Sequence, residues 1–270
     1  MAIIGEITGK GDCIGGIVGS LNCGEITGCY NKGNITCDEN DDSCNVGGIC
    51  GNSCIYSYTG SEPQNIIQYS YNTGTITSRF VVGGIAGYPS GFTNIEKCYN
   101  KGSISESNDD NIGYGGIAGI LNANIYINGK PNAQQKAISQ MSYSCNIGPV
   151  SSNGTQIGGI CGNNAQYCIV KDNYILQGLA IQKGSTIATR DIGTSSAYLG
   201  KYVGRAYSTS TNYISGNGEI TNTITTENGK EDITDTVYYI VNGCNEGESE
   251  YWAKDDVTQP SLKWELQVNN

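Results

Sequence analysis

The chain has 270 residues, 39 of them Gly, 19 Tyr and 12 Cys, with only 5 Pro and no His. Its formal net charge of −10 repels a phosphate backbone, so no nucleic-acid partner is expected. The missing histidine removes the Ser-His-Asp and Cys-His nucleophiles, the HExxH zinc site and every imidazole base.

In chain order, GEIT at Gly5–Thr8 reads as the close of a repeat, so residues 1–14 form a partial first coil. Residues 1–13 lack the basic-then-apolar start of a secretory leader, and we read the chain as a segment of a longer protein. No apolar run approaches the ~20 residues of a membrane helix, so no membrane insertion is expected. From Gly15 onward a glycine-framed phrase recurs: GGIVG at Gly15, GGICG at Gly47, GGIAG at Gly83 and Gly115, GGICG at Gly158. Its copies lie 32, 36, 32 and 43 residues apart. Between them comes a second phrase: CYNKGNIT at Cys29, SYNTGTIT at Ser70, CYNKGSIS at Cys98 and the more divergent SCNIGPVS at Ser144.

A period of this size points to a solenoid or a propeller. The unit Gly15–Thr36 predicts three short strands, over Gly16–Leu21, Glu25–Tyr30 and Asn34–Thr36. One unit cannot bury its own apolar side, whereas stacked units pair strand on like strand about 4.8 Å apart. A propeller blade needs four antiparallel strands and usually ~40–45 residues, so the solenoid is favoured. The fold class expected is therefore all-β: a parallel β-helix of about six to seven coils, right-handed because such crossovers prevail.

Stacking puts Ile17, Ile49, Ile85, Ile117 and Ile160 in one apolar column. Val18, Cys50, Ala86, Ala118 and Cys161 follow in a column of small residues. Asn31, Asn72, Asn100 and Asn146 share a turn, where side-chain amides can bond from coil to coil. Gly33, Gly74, Gly102 and Gly148 beside them suggest positive φ. Tyr30, Tyr71 and Tyr99 form a column next to Cys29, Ser70 and Cys98. Alternation puts one of these two columns inside and the other out. An outward tyrosine column would be a candidate binding stripe for glycan or protein; rings stacked only to hold coils together are the alternative.

Most cysteines trade places with Val, Ala or Ser between repeats, which suits small space-fillers better than metal ligands. Cys37 and Cys44 flank the acidic loop CDENDDSC and could close it as a disulfide. That loop (Asp38, Glu39, Asp41, Asp42) and ESNDDN (Glu106, Asp109, Asp110) would share one edge two coils apart. Asp38, Asp41, Asp42, Asp109 and Asp110 are candidate calcium ligands, although neither loop has the DxDxDG spacing. Solvated loops are the simpler reading, and no other cofactor is indicated. Carboxylate-driven glycan cleavage at Asp109 and Asp110 is a further alternative.

Clear repeats span 15–178 and degenerate coils 179–242, while 243–270 departs from the pattern. There Leu262, Trp264, Leu266 and Val268 alternate with polar residues, predicting a strand that caps its own solenoid end or is donated to another chain's edge. GGIVG followed by CYNKGNIT resembles the GLUG-motif repeat of bacterial surface proteins, among them adhesin-like proteins and the non-catalytic stalk of immunoglobulin A peptidases. The resemblance implies a parallel β-helix on the outside of a bacterial cell, with a structural or adhesive role and host or surface glycans or proteins as partners. It implies no peptidase activity, because that family's zinc-binding histidines have no counterpart. Self-association end to end, through the open first coil and the Leu262–Val268 strand into a filament, is one competing expectation, and a trimeric phage-type spike is another.

Overall fold

The computed structural model describes residues 1–37, 44–55, 64–106, 112–124, 126–127, 130–131, 138–207, 214–220, 233–243, 250–253 and 260–268. One coil runs Tyr30–Asn31, Ile35–Cys37, Asn45–Gly47, Cys50–Ser53 and Asn65–Gln68 before Tyr71–Asn72 opens the next. These strands feed five stacked sheets, labelled A to E in that order. Sheet A has seven strands, sheets C, D and E have six, and sheet B has six capped by a return strand at Thr186–Ile187. All pairing between coils is parallel and in register, as in Ile7, Ile35, Ile76, Ile104, Val150 and Ile181. The architecture is a parallel β-solenoid.

Each coil holds five strands where three were predicted. Cys13–Gly15 and its sisters were read as connection, and Glu25–Tyr30 is cut in two by a left-handed residue. That residue recurs in every coil: Gly28, Tyr69, Lys97, Tyr143, Asp172 and Gly216 have φ of 62°, 47°, 54°, 48°, 51° and 70°. The αL conformation strains any residue but glycine, and the next coil offsets it by bonding the corner's backbone. Ser70 Oγ accepts from Cys29 N–H at 3.2 Å, Ser144 Oγ from Cys98 N–H at 3.3 Å and Asn173 Oδ1 from Ser144 N–H at 3.1 Å. The Cys/Ser column is therefore a bonding column as well as a filler.

The glycine phrase has a geometric cause. Sheets C and D meet backbone to backbone: a Cβ on Gly87 would lie 2.7 Å from Val46 N and 2.6 Å from Gly51 O. Side chains normally hold stacked sheets about 10 Å apart, so this contact tolerates only glycine. The C–D turn drives into the coil until Gly16, Gly48, Gly84 and Gly116 touch the side chains of Asn31, Asn72, Asn100 and Asn146. The interior is consequently two lobes instead of one tube. The first, against sheets D and E, holds Ile49, Ile85, Ile117 and Ile160 with Ile67, Ile95 and Met141, and Ile17 packs onto it. The second, between sheets B and C, holds Ile35, Val46, Ile76, Val82, Ile104 and Ile157. The five predicted isoleucines share one column.

The asparagines form an unbroken amide ladder. Asn31 Nδ2 donates to Asn72 Oδ1 at 2.8 Å, Asn72 to Asn100 at 2.8 Å and Asn100 to Asn146 at 2.9 Å. Each also donates to the carbonyl two residues on, at Gly33, Gly74, Gly102 and Gly148. These four glycines do not have positive φ, contrary to expectation. They are glycines because a Cβ would overlap the carbonyl of the coil before, as Gly74 would with Gly33 O.

Successive sheet A strands are offset by 28, 41, 28, 46, 29 and 44 residues. The bare coil is thus 28–29 residues, and alternate coils carry the insertions. In the second and fourth coils these fall at the B-to-C and D-to-E connections.

Cys37 and Cys44 are joined as a disulfide. Seven free thiols, Cys29, Cys50, Cys54, Cys98, Cys145, Cys161 and Cys168, are buried, while Cys13 is half-buried and Cys23 exposed. Burial pushes Cys50 and Cys161 up to about 12, and an unionised thiol is a poor nucleophile. With an aromatic disulfide reagent at pH 8, Cys23 should react promptly, Cys13 more slowly, and these seven only on unfolding. Cys244 lies outside the described residues. Prompt reaction of four or more thiols in the folded protein would contradict this burial.

Candidate functional site

Sheet A carries the most elaborate surface feature. On each rung Cys or Ser and Asn point inward, so the tyrosine between them points out. Tyr30 and Tyr71 stack with centroids 5.0 Å apart, and Tyr71 and Tyr99 at 4.8 Å with planes 3° from parallel. The three predicted tyrosines are therefore brought together on the outer face, but they are not a displayed stripe. Tyr71 and Tyr99 are wholly buried and Tyr30 nearly so, beneath the C-terminal residues.

That cover corrects the C-terminal expectation. Residues 233–241, assigned to a degenerate coil, form helix α1 (Ile233–Val241). The predicted strand over 262–268 is strand only at Ser261–Leu262, then helix α2 (Lys263–Val268). LKWELQV is rich in good helix formers, which outweigh its short alternation. The segment lies along sheet A, not over the solenoid end. Trp264 extends the aromatic stack, 5.3 Å from Tyr30, and its Nε1–H donates to Gly28 O at 2.8 Å. Trp252 tilts against Tyr99 at 5.5 Å and Tyr71 at 6.1 Å. Tyr99 O–H donates to Pro260 O at 2.7 Å. Buried Glu265 forms an ion pair with Lys32 and accepts from Tyr71 O–H at 2.8 and 2.9 Å. Lys32 Nζ also sits 4.6 Å from the Tyr30 ring centroid, a cation–π contact. Beside it Tyr251 stacks on Tyr69 at 4.2 Å.

Burial, then neighbouring acidic groups, pushes the Tyr71 and Tyr99 hydroxyls far above the ordinary tyrosine range. The docked structure thus holds them neutral. Raised folded-state values mean this stability is complete below the unfolded pKa near 10 and is lost as pH rises through the folded values. Both tryptophans of the chain lie in this cover. Their fluorescence should be constant from pH 6 to 9 and report detachment from about pH 10 upward. Tyr99→Phe should flatten that alkaline response; an unchanged titration would contradict the assignment.

Lys32, Trp252, Trp264 and Glu265 escaped sequence reasoning as site residues. Their one signal was two tryptophans in an otherwise charged segment, which need an apolar partner. Asp38, Asp41, Asp42, Asp109 and Asp110 lie outside the described residues. Glu106 is described, and its carboxylate bridges coils by accepting from Ser152 Oγ and the N–H groups of Asn153 and Gly154. Among the described residues no three His, Cys, Asp or Glu converge as a metal site, and no helix is long and apolar enough to cross a membrane. A groove of about 530 Å³ opens beside sheets C and D, lined by Phe80, Val81, Tyr88, Ile112 and Ile120 with Asn45, Asn52 and Cys54.

Stacked coils with a glycine wedge and an amide ladder define the class as a repeat β-solenoid. The GLUG motif matches residues 78–105, one coil with GGIAG at Gly83 and CYNKGSIS at Cys98, and the chain repeats both phrases along its length. No curated protein sequence matches it. In fold it is similar to a crystal structure from Bacteroides ovatus provisionally assigned as an immunoglobulin A1 protease. The TM-score is 0.60 at 14% identity, covering 97% of this chain and 75% of that one; at that identity the likeness speaks for fold alone.

Proposed function

We propose that the chain is a non-enzymatic display segment of a bacterial cell-surface protein, a stiff solenoid that presents its insertions and grooves to glycan or protein. The observation that carries this reading is the unbroken ladder Asn31–Asn72–Asn100–Asn146. It ties successive coils into one rod while alternate coils carry the insertions. The tyrosine face is covered, so recognition passes to the groove, where Phe80 and Tyr88 stand beside Asn45 and Asn52. Aromatic rings flanked by neutral amides suit a sugar better than an anion. The GLUG motif supports a surface address by resemblance.

The test is capture of the purified chain on immobilised glycans, followed by analysis of the same glycans for cleavage. Retention that falls at least about tenfold in Phe80→Ala/Tyr88→Ala, with no product released, is expected. Release of sugar fragments, or cleavage of immunoglobulin A by the purified chain, would overturn the non-enzymatic reading.

A further inference from the structure

The C-terminal segment meets sheet A as a ligand meets a site. Its strand pair, Trp252–Ala253 with Ser261–Leu262, forms a two-stranded sheet of its own and joins none of the five solenoid sheets among the described residues. Its described attachments to the tyrosine face come from side chains and one carbonyl: the Trp264 stack, the Trp252 edge, the Glu265 carboxylate and Pro260 O. The face supplies matching chemistry independently of the two interior lobes. Its aromatic platform, Tyr30, Tyr71 and Tyr99, lies next to a carboxylate clamp of Lys32 Nζ and Tyr71 O–H. A charge-assisted clamp beside stacked rings selects an aromatic residue followed by an acidic one.

We propose that this face is a binding site for an aromatic–acidic peptide, filled in cis by Trp264–Glu265, and that the same segment of a second copy docks there in trans. The second copy is the fitting occupant because its segment reproduces every contact already made. Sheet A runs along the side of the rod, so exchange would join rods laterally instead of end to end. This is independent of the surface-display reading.

The test uses the full chain and a fluorescent synthetic peptide of residues 250–270. In the wild type the resident segment competes at an effective concentration on the order of millimolar. The Trp264→Ala/Glu265→Ala variant, with its site residues intact, should therefore bind the peptide at least about tenfold more tightly than wild type. Adding Lys32→Glu to that variant, or Glu265→Lys to the peptide, should abolish binding. Should the double variant lose its fold by circular dichroism, Glu265→Gln alone, which keeps the side chain's size, serves the same comparison. Equal affinity for wild type and variant, binding that survives Lys32→Glu, or no binding at all would each overturn the proposal.

Discussion

Gly84→Ala should prevent folding or cost more than about 4 kcal/mol. Gly84 sits at the tip of the C–D turn, pressed between Gly116 O of the following coil and the Asn100 side chain. A Cβ would overlap both. Neither can retreat: Gly116 N–H is bonded to Gly158 O at 3.3 Å, and Asn100 is held from both sides within the ladder. The wedge would have to withdraw, opening the wall between the two lobes in that coil and its neighbours. Gly5→Ala provides the contrast, because nothing lies within 4 Å of a Cβ there. Urea unfolding of the two variants should separate them by several kcal/mol; comparable midpoints would mean that the wedge does not pack as described.

Asn72→Ala should destabilise the chain by about 3 kcal/mol. The substitution deletes two amide bonds of the ladder and the bond to Gly74 O, all at a buried position. It leaves an Asn31 donor and the Asn100 acceptor without partners, and unpaired buried polar groups cost about 1–3 kcal/mol each. Asn146 ends the ladder, with Ile175 above it. Of its three side-chain bonds two stay within its own turn, at Gly148, and one crosses to Asn100. Asn146→Ala should therefore cost less than Asn72→Ala by one inter-coil bond, roughly 1 kcal/mol. Equal losses at the two positions would show that the amides act as isolated turn caps.

The stacking could be read from residues whose side chains repeat because their environment repeats. Ile in GGIxG, Asn two residues after the Cys/Ser column, and the paired glycines each answer a contact that recurs on every rung, so identity and register were legible together. The αL corner was not. Its occupants are Gly, Tyr, Lys, Tyr, Asp and Gly, because the conformation is imposed by the bend and by bonds from the next coil, and no residue type is selected. The wedge was half legible: glycine at its tip suggested a tight bend, but two interior lobes follow only from seeing sheets C and D in backbone contact. Tyr30, Tyr71 and Tyr99 were rightly placed together, yet their burial comes from residues more than about 150 positions away, such as Trp252 on Tyr99 and Trp264 on Tyr30, which no local pattern encodes. Helix α2 was misread because four alternating residues in so short a segment satisfy a strand and a helical turn alike.

The central claim is that each coil lies directly over its predecessor. Ser20, Asn52, Tyr88, Ile120, Asn163 and Arg205 occupy one column on five consecutive steps, or are carried there by their strands' register. Spin labels placed at Ser20 and Arg205 through non-natural residues, which leaves the native thiols unlabelled, would read that column by dipolar spectroscopy. Stacking at about 4.8 Å per step predicts backbone positions ~24 Å apart and a single narrow distribution. A broad distribution, or a separation beyond about 35 Å once the label arms are subtracted, would contradict a continuous solenoid.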